Sequence, residues 1–506
     1  METEDKSARL LRAVAKELAE RLLPELVSVD ARERAALASL VLEHIAADVD
    51  VLAAVAEEWV PEFREALEQA LQRLPPERFA DQSPSRRGEL ADIPIERGAG
   101  RQREVRALRG VGAALVRRAA DLVADAGSDP EDAAIALALG RLGELDHRWL
   151  TRYEAARQQN RASAPVGAAA VPVGAAASSV PPPPVNAALV TRYLRRCCPQ
   201  SPELAASAVV PIPGGRSKKT YFISLTGSET LPAELVMRQD YALRYEGTKV
   251  RDEYAPLLKL AALGLAVPRP LLLEPEATDL GPPFMFVERL RGSTPGSYFG
   301  MRTPCPGAFA ELARLLAKLH GLTPGELGVS TAAAPMDSLL QLIEGYQAKW
   351  RENATAASPL IDFAYAWARR ECAKVPGTVA FVHGDAGPYN LLIDADHLTG
   401  LLDWEFAHLG DPAVDLGVVR VYAEEFMRWD EFMRLYTAAG GVAVAERRVC
   451  LAMLVNFLKG AALVATSARN FEEGWTRDFL KGANSFTGQR LIELRIAGLL
   501  QRFGAV

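Results

Sequence analysis

Thirty consecutive residues, Ala162 to Thr191, carry no charge, and this window fixes how the chain can be divided. A charge-free run of that length could cross a bilayer. Its content argues against a span: Ala, Val, Ser and Gly dominate, and Pro165, Pro172 and Pro181 to Pro184 interrupt it. Proline removes a helical hydrogen bond and clashes with the preceding turn, while Ala and Gly add little transfer energy. The window reads as a semi-extended Pro/Ala-rich linker, and no other segment is expected to approach the length needed to span a bilayer. The expected organisation is an all-α domain over 1–160, a linker over 161–186 and a larger region over 187–506.

The N-terminal stretch shows helical periodicity throughout. Leu10, Leu11, Val14, Leu18 and Leu22 recur at helical spacing, as do Leu37, Val41, Ile45, Val49 and Leu52, and then Leu108, Val111, Leu115 and Leu122. Ser128-Asp129-Pro130-Glu131 reads as a helix cap with proline in the first turn. Residues 75–100 read as a polar loop. Gly110-Val111-Gly112 lacks the third glycine of a dinucleotide loop and lies inside a helical pattern, so helix packing explains it better. Asp146, His147 and Trp149 read as a buried helix end. Residues 1–160 hold 23 basic and 30 acidic side chains and the remainder 35 and 34, giving the net charge of −6. Neither part has the basic excess that phosphate-backbone binding requires, which argues against nucleic acid as a partner. The five cysteines form no CxxC pair, a usage that fits a reducing cytoplasm and no disulfide framework.

Beyond the linker the pattern changes to short strands. Val209–Ile212, then Tyr221–Leu225, then Glu234–Arg238 read as an antiparallel meander, with the glycine-containing loop 213–220 between the first two. A helix carrying Val250, Tyr254, Leu257 and Leu260 follows, and strands are expected at Leu271–Leu273 and Phe284–Val287. The rest is mainly helical apart from 378–403. There the pattern is strand (Thr378–Val382), polar loop, strand (Leu391–Ile393), turn and strand (Leu398–Leu402).

This last segment carries the chemistry. Asp385 opens a loop after an apolar strand, Asn390 lies five residues on where the next strand starts, and Asp403 closes the hairpin. An Asp and an Asn on neighbouring strand ends offer the few hard oxygens that Mg²⁺ takes alongside phosphates and water. A second Asp, not consumed by the metal, can accept a proton from a hydroxyl. Singly, each of these residues reads as a turn cap; the joint spacing points to phosphoryl transfer.

The motifs HGDAGPYN (383–390), LLDWEFAHLGDP (401–412) and AVDL (413–416) resemble those of the aminoglycoside phosphotransferase family, a branch of the protein-kinase-like fold, over about residues 185–505. The resemblance implies an α+β, two-lobe phosphotransferase: a small antiparallel-sheet lobe over 187–290 and a larger, mostly helical lobe with the acceptor site over 291–506. It implies Asp385 as catalytic base, His383 as the residue that orients the catalytic loop, and Asn390 and Asp403 as Mg²⁺ ligands. Gly384 stands where protein kinases carry arginine, and Asp411 and Asp415 look like structural residues that tie the loop to the helix after it. Gly214, Gly215 and Ser217 resemble the phosphate-covering loop. Arg238 stands where a kinase has its phosphate-gripping lysine, paired with Glu253; a solvated strand-end cation is the other reading of Arg238. Backbone groups at Glu288 to Leu290 would meet the adenine edge of ATP. Gly387 occupies a position where relatives often have His, and Tyr389 one where they often have Gly; Tyr389 either shapes the acceptor pocket or packs, and Glu405 is the acidic residue expected near that pocket.

The implied activity is ATP- and Mg²⁺-dependent transfer of the γ-phosphoryl group to a hydroxyl of a small molecule, with antibiotics, sugar or choline-like alcohols, amino-acid alcohols and hydroxyacyl thioesters all within the family's range. The alternative is a catalytically quiet nucleotide-binding or scaffold module. The hydrolase motifs G-x-S-x-G and HExxH and the P-loop are absent from the sequence. The helical N-terminal half is expected to serve a homodimer contact, to dock a partner enzyme, or to cover the active site.

Overall fold

The computed structural model describes residues 185–212, 218–240, 249–295, 303–328, 338–474 and 479–505. Before these it describes 55–70, 100–118 and 130–162, with scattered positions between 11 and 72. The expected loop at 75–100 lies outside the described residues except for Gly100, which opens a helix, and most of the proline-rich segment lies outside them too, as do Gly214, Gly215 and Ser217. Two compact units share the chain. One comprises Met1–Ser178, Leu340–Val375 and Leu454–Val506; the other comprises Ser179–Leu339 and Pro376–Met453.

In chain order a helical stretch over 55–70 precedes two longer helices, α1 (Gly100–Arg118) and α2 (Pro130–Ala162). Helix α3 (Ala187–Cys197) opens the second unit, with Asn186 accepting the Leu189 N–H as its N-cap. Strands β1 (Ala205–Ile212), β2 (Lys218–Thr226) and β3 (Glu234–Asp240) follow, then α4 (Val250–Ala262), β4 (Pro270–Glu274) and β5 (Phe284–Glu288). These five strands form one antiparallel sheet in the order β1-β2-β3-β5-β4. Strand β5 lies inside that sheet, and its Phe284, Met285, Phe286 and Val287 are all buried. The two faces serve different cores. Tyr193 and Leu194 of α3 pack with Ile223, Leu235, Met237, Phe284 and Phe286, while Leu257 and Leu260 of α4 join Met285 and Val287. Both faces being covered explains why this strand reads as a continuous apolar run without alternation.

Helix α5 (Pro306–His320) carries proline in its first turn and buries Ala308, Phe309, Leu312, Leu315, Leu316 and Leu319 along one stripe. Helices α6 (Ser338–Asn353) and α7 (Pro359–Cys372) come next. The chain then forms β6 (Ala380–Val382), β7 (Leu391–Asp394), β8 (His397–Leu401) and β9 (His408–Gly410). β7 pairs with β8 as a hairpin, and β6 pairs with β9. The strand β9 and its pairing were not expected from sequence: three residues carry too little periodicity to read. Helices α8 (Ala413–Ala423), α9 (Trp429–Ala438), α10 (Glu446–Glu472) and α11 (Phe479–Arg502) complete the chain. Among the described residues α10 alone is long and apolar enough to cross a membrane by length and composition, which corrects the expectation that no segment besides the proline-rich window approaches that length; most of its apolar window is buried in the fold, as in a core helix.

The other unit corrects the division expected at the linker. Helices α1 and α2 do not close a core by themselves; they pack on α7, and α2 also packs on α11. Phe363 of α7 lies against Gly140 and Gly143 of α2, and a Cβ at Gly112 of α1 would meet Phe63 and Pro359. That close approach bears out the packing role read for Gly112. Trp59 donates its indole N–H to the Leu145 carbonyl at 2.8 Å. Asp146 is buried mid-helix, not at a helix end, and Arg109 grips it at 2.6 and 3.1 Å while reaching Glu493 of α11 at 3.3 Å. The Ser358 hydroxyl and the Leu360 N–H complete the surroundings of Asp146. A buried carboxylate is tolerated when paired and hydrogen-bonded, and here the partners come from segments more than 200 residues apart in sequence.

Candidate active site

The hairpin β7–β8 is held from below by α5. The Asp396 carboxylate, in the turn, accepts the N–H groups of Gly307 and Ala308 at 3.0 and 3.3 Å, and Glu311 accepts the Leu398 N–H at 2.7 Å. An acidic turn thus caps the positive end of a helix it does not belong to. At the other end of the hairpin Leu391 pairs with Leu401, and the Leu402 N–H donates to the Asn390 carbonyl at 2.8 Å. Asn390 and Asp403 therefore leave the hairpin side by side. Asp403 adopts φ 63°, ψ 67°, a left-handed conformation that costs a non-glycine residue and that clusters at functional sites.

The loop bearing Asp385 is built around a neutral histidine. His383 is fully buried; its Nε2–H donates to the Leu402 carbonyl at 2.8 Å, and its Nδ1 accepts the Asp385 N–H at 3.1 Å. One nitrogen donating and the other accepting requires the uncharged ring, and burial, outweighing the nearby Asp415 and Asp385, lowers the His383 pKa below its ordinary value. His383 thus ties the Asp385 backbone to the hairpin end that carries Asp403. Gly384 follows with φ +81°, and a Cβ there would collide with the Phe406 carbonyl, which is why a side chain is excluded at this place. Beneath the loop, Asp415 accepts the N–H groups of His383 at 2.8 Å and Gly384 at 2.7 Å. Asp415 also faces His320 Nε2 at 3.1 Å, and His320 Nδ1 lies 2.9 Å from the Tyr436 hydroxyl. Burial alone would raise the Asp415 pKa, but its bonds to His320 and to the His383 backbone hold it below the usual carboxylate value. Asp411 accepts from Arg448 Nε at 2.7 Å and from the Ala413 N–H at 2.8 Å. Both aspartates are the structural ties that the motif implied; His320, Tyr436 and Arg448 complete them from remote sequence.

The functional side chains converge as expected. Asn390 Nδ2 donates to Asp385 Oδ2 at 3.1 Å and to the Asp385 carbonyl at 2.9 Å, leaving the Asn390 amide oxygen for a cation. Arg238 of β3 reaches Asp403 at 2.6 Å and Glu253 of α4 at 3.5 Å. The expected Arg238–Glu253 pair is present, and the fork also spans to Asp403, a contact for which a point-like ammonium is poorly suited. Burial works against the Arg238 charge, but Glu253, Asp403 and Glu405 outweigh it and raise its pKa above the ordinary value.

Lys218 is the cation that the sequence analysis missed. It is buried at the start of β2, with Nζ 3.3 Å from Glu253, 3.7 Å from Asp240 and 3.7 Å from Glu405. The signal was available: Lys218 stands opposite Asp240, and Thr220, two residues on, stands opposite Arg238. Residues two apart on a strand share a face, so beginning the strand at Lys218 instead of Tyr221 would have placed both cations together. Glu405, expected near the acceptor pocket, turns instead to Lys218, among the carboxylates that surround the two cations. At the expected hinge, Glu288 to Leu290, the Glu288 N–H already donates to the Arg269 carbonyl at 2.9 Å.

Asp403 and the Asn390 oxygen are hard donors, and two protein oxygens with room for phosphates and water are what Mg²⁺ takes. Among the described residues no group of three or more His, Cys, Asp and Glu is placed to hold a metal ion.

A five-stranded antiparallel sheet with one helix against its inner face, an Asp-x4-Asn loop and a hairpin ending in Asp make up a protein-kinase-like fold. Residues 208–451, a little under half of the chain, match the model of the phosphotransferase enzyme family (APH). Among curated proteins the chain is similar to acyl-CoA dehydrogenase family member 11 of Rattus norvegicus, 24% identical over 226 residues, which are 43% of this chain and 28% of that protein. It is similar also to the uncharacterized protein YcbJ of Bacillus subtilis (strain 168), 28% identical over 135 residues, 26% of this chain and 42% of that one. The chain therefore spans less than half the length of either. Among solved structures it is similar to the macrolide 2'-phosphotransferase MphH from Brachybacterium faecium, with 17% identity and a TM-score of 0.41 over 58% of this chain and 98% of that one.

Proposed function

We propose that this protein uses Mg²⁺ and ATP to phosphorylate a hydroxyl group of a small molecule. The observation that carries the proposal is the assembly of Asp385, Asn390 and Asp403 at one loop and hairpin end, with Arg238 bridging Asp403 to Glu253. When bound, the metal would offset charge on the phosphates. Asp385 orients the acceptor hydroxyl and takes its proton. The Asn390 amide holds the Asp385 carboxylate in place while presenting its own oxygen, with Asp403, to the metal. Arg238, and Lys218 beside it, supply fixed positive charge next to the phosphates. Positioning and electrostatics do most of the work in such a step.

Among hydroxyl acceptors a hydroxyacyl thioester is the first to test, because a relative matched over 43% of this chain is named for acyl-CoA dehydrogenation. The experiment is a screen of ADP formation from Mg-ATP with hydroxyacyl thioesters, hydroxylated metabolites and aminoglycosides, using Asp385→Asn as blank. ADP formation above the blank with one acceptor class supports the reading. Absence of nucleotide binding by calorimetry, with Mg²⁺ present, would overturn it.

A further inference from the structure

The base of the proposed reaction already has a hydroxyl on it. Tyr389 Oη donates to Asp385 Oδ1 at 3.0 Å, while Asn390 Nδ2 occupies Oδ2. A hydroxyl within hydrogen-bond reach of a carboxylate is the geometry a general base makes with its acceptor before the proton moves. Resting on the phosphotransferase reading of Asp385, we propose that the Tyr389 phenol holds the acceptor's place on Asp385 and is displaced by the acceptor hydroxyl, so that Tyr389 admits an anchored substrate and turns away water.

The loop is shaped for this ring. A Cβ at residue 387 would lie 2.5 Å from Tyr389 Cε1 and Cζ and 2.7 Å from its hydroxyl, so the phenol can lie over the loop only because Gly387 has no side chain. The two departures from the family pattern, Gly387 and Tyr389, are therefore one complementary feature: room is taken from one position and filled from the other. The far side of the ring meets Tyr422 edge-on, with centroids 6.0 Å apart at 87°. Tyr389 is only half-buried, so its ring has a route away from Asp385 that a core residue would lack.

The side reaction that Tyr389 would suppress is hydrolysis. A water oxygen bonds to the γ-phosphorus as its proton passes to Asp385, the bond from phosphorus to the bridging oxygen breaks, and ADP and phosphate leave. A phenol on Asp385 denies water that seat, whereas a substrate bound by the rest of its structure can compete for it.

The test measures phosphate release from Mg-ATP without acceptor in the full chain, comparing the wild type, Tyr389→Phe, Asp385→Asn and the double variant. Tyr389→Phe should raise release roughly 10-fold or more, the weight of one hydrogen bond to a charged group. Its affinity for a non-hydrolysable ATP analogue should stay within about twofold of the wild type, the gain acting on the base and not on nucleotide binding. The gain should vanish in the double variant, which a merely structural role for Tyr389 does not require. Release no faster than wild type in Tyr389→Phe, a gain that survives in the double variant, or phosphate found on Tyr389 itself by mass spectrometry would each overturn the proposal. If the wild type fails to bind the analogue at all, the phosphotransferase reading fails first, and the place-holder role with it.

Discussion

Asp415→Asn tests whether the catalytic loop is held by charge from beneath. In the native site Asp415 Oδ1 accepts the Gly384 N–H, and Oδ2 accepts the His383 N–H and faces His320. An amide offers one acceptor oxygen where the carboxylate offered two. Its least damaging placement sets the NH₂ against the Gly384 N–H and keeps the oxygen for His383. One buried N–H is then left without an acceptor, at about 1–3 kcal/mol, and the remaining bonds lose charge assistance, about 1 kcal/mol more. The sum, about 2–4 kcal/mol, is a large fraction of a typical stability of about 5–15 kcal/mol but leaves the protein folded. The pH dependence has a definite sign. Asp415 titrates lower in the fold than its ordinary value, so its contribution is complete above the unfolded pKa of about 3.9 and is lost as pH falls through the folded value. The gap between wild type and variant should be constant from neutral pH down to about 5 and close below about 4. Urea denaturation across that pH range gives the gap, and hydrogen exchange at residues 383 and 384 reports the loop itself. Turnover should fall by about 10- to 100-fold as Asp385 loses its fixed position. A variant within about 0.5 kcal/mol of wild type, with unchanged exchange at these amides, would refute the idea that Asp415 supports the loop through its charge.

Other substitutions separate the roles assigned above. Asp385→Asn should lower phosphoryl transfer by roughly 10²–10⁴ while nucleotide affinity, read by calorimetry, is retained. Asp403→Asn should remove the Mg²⁺ dependence of nucleotide binding, measured by titrating the metal at fixed analogue concentration; an unchanged metal dependence would place the ligand elsewhere. Arg109→Leu strands Asp146 and Glu493 in the interior and should cost about 3–5 kcal/mol, seen as a lowered thermal midpoint, if α1 and α2 are built into the same core as α7 and α11. Asp362 is pushed up to about 7 by burial, despite Arg117 nearby. A carboxyl raised in the fold loses stability as pH climbs from its ordinary value through the folded one, so Asp362→Asn should flatten the decline in stability between about pH 4 and 7.

Much of this site was legible in the chain because its parts are local. Asp385, Asn390 and Asp403 lie within twenty residues of one another, and a loop followed by a hairpin brings them together whatever the rest of the fold does. The strands of the sheet were legible for the same reason, each being a short apolar run between turns. Glu253 was matched to Arg238 through the resemblance of both positions to the kinase lysine–glutamate pair, and the structure pairs them at 3.5 Å. Chain-local pattern also carried the expectations about partners: charge balance argued against nucleic acid.

Tertiary structure alone decided the rest. Lys218, a loop residue by composition, becomes a buried cation because antiparallel pairing sets it opposite Asp240. His320, Tyr436 and Arg448 support the catalytic loop from elements whose own sequence gives no sign of it. The proline-rich window looked like a boundary between domains, yet Arg109, Asp146 and Glu493 meet across it in one core. Periodicity tells which face of a helix seeks cover but not which helix covers it, because burial is set by partners distant in sequence, and buried charges by whichever opposite charges those partners bring.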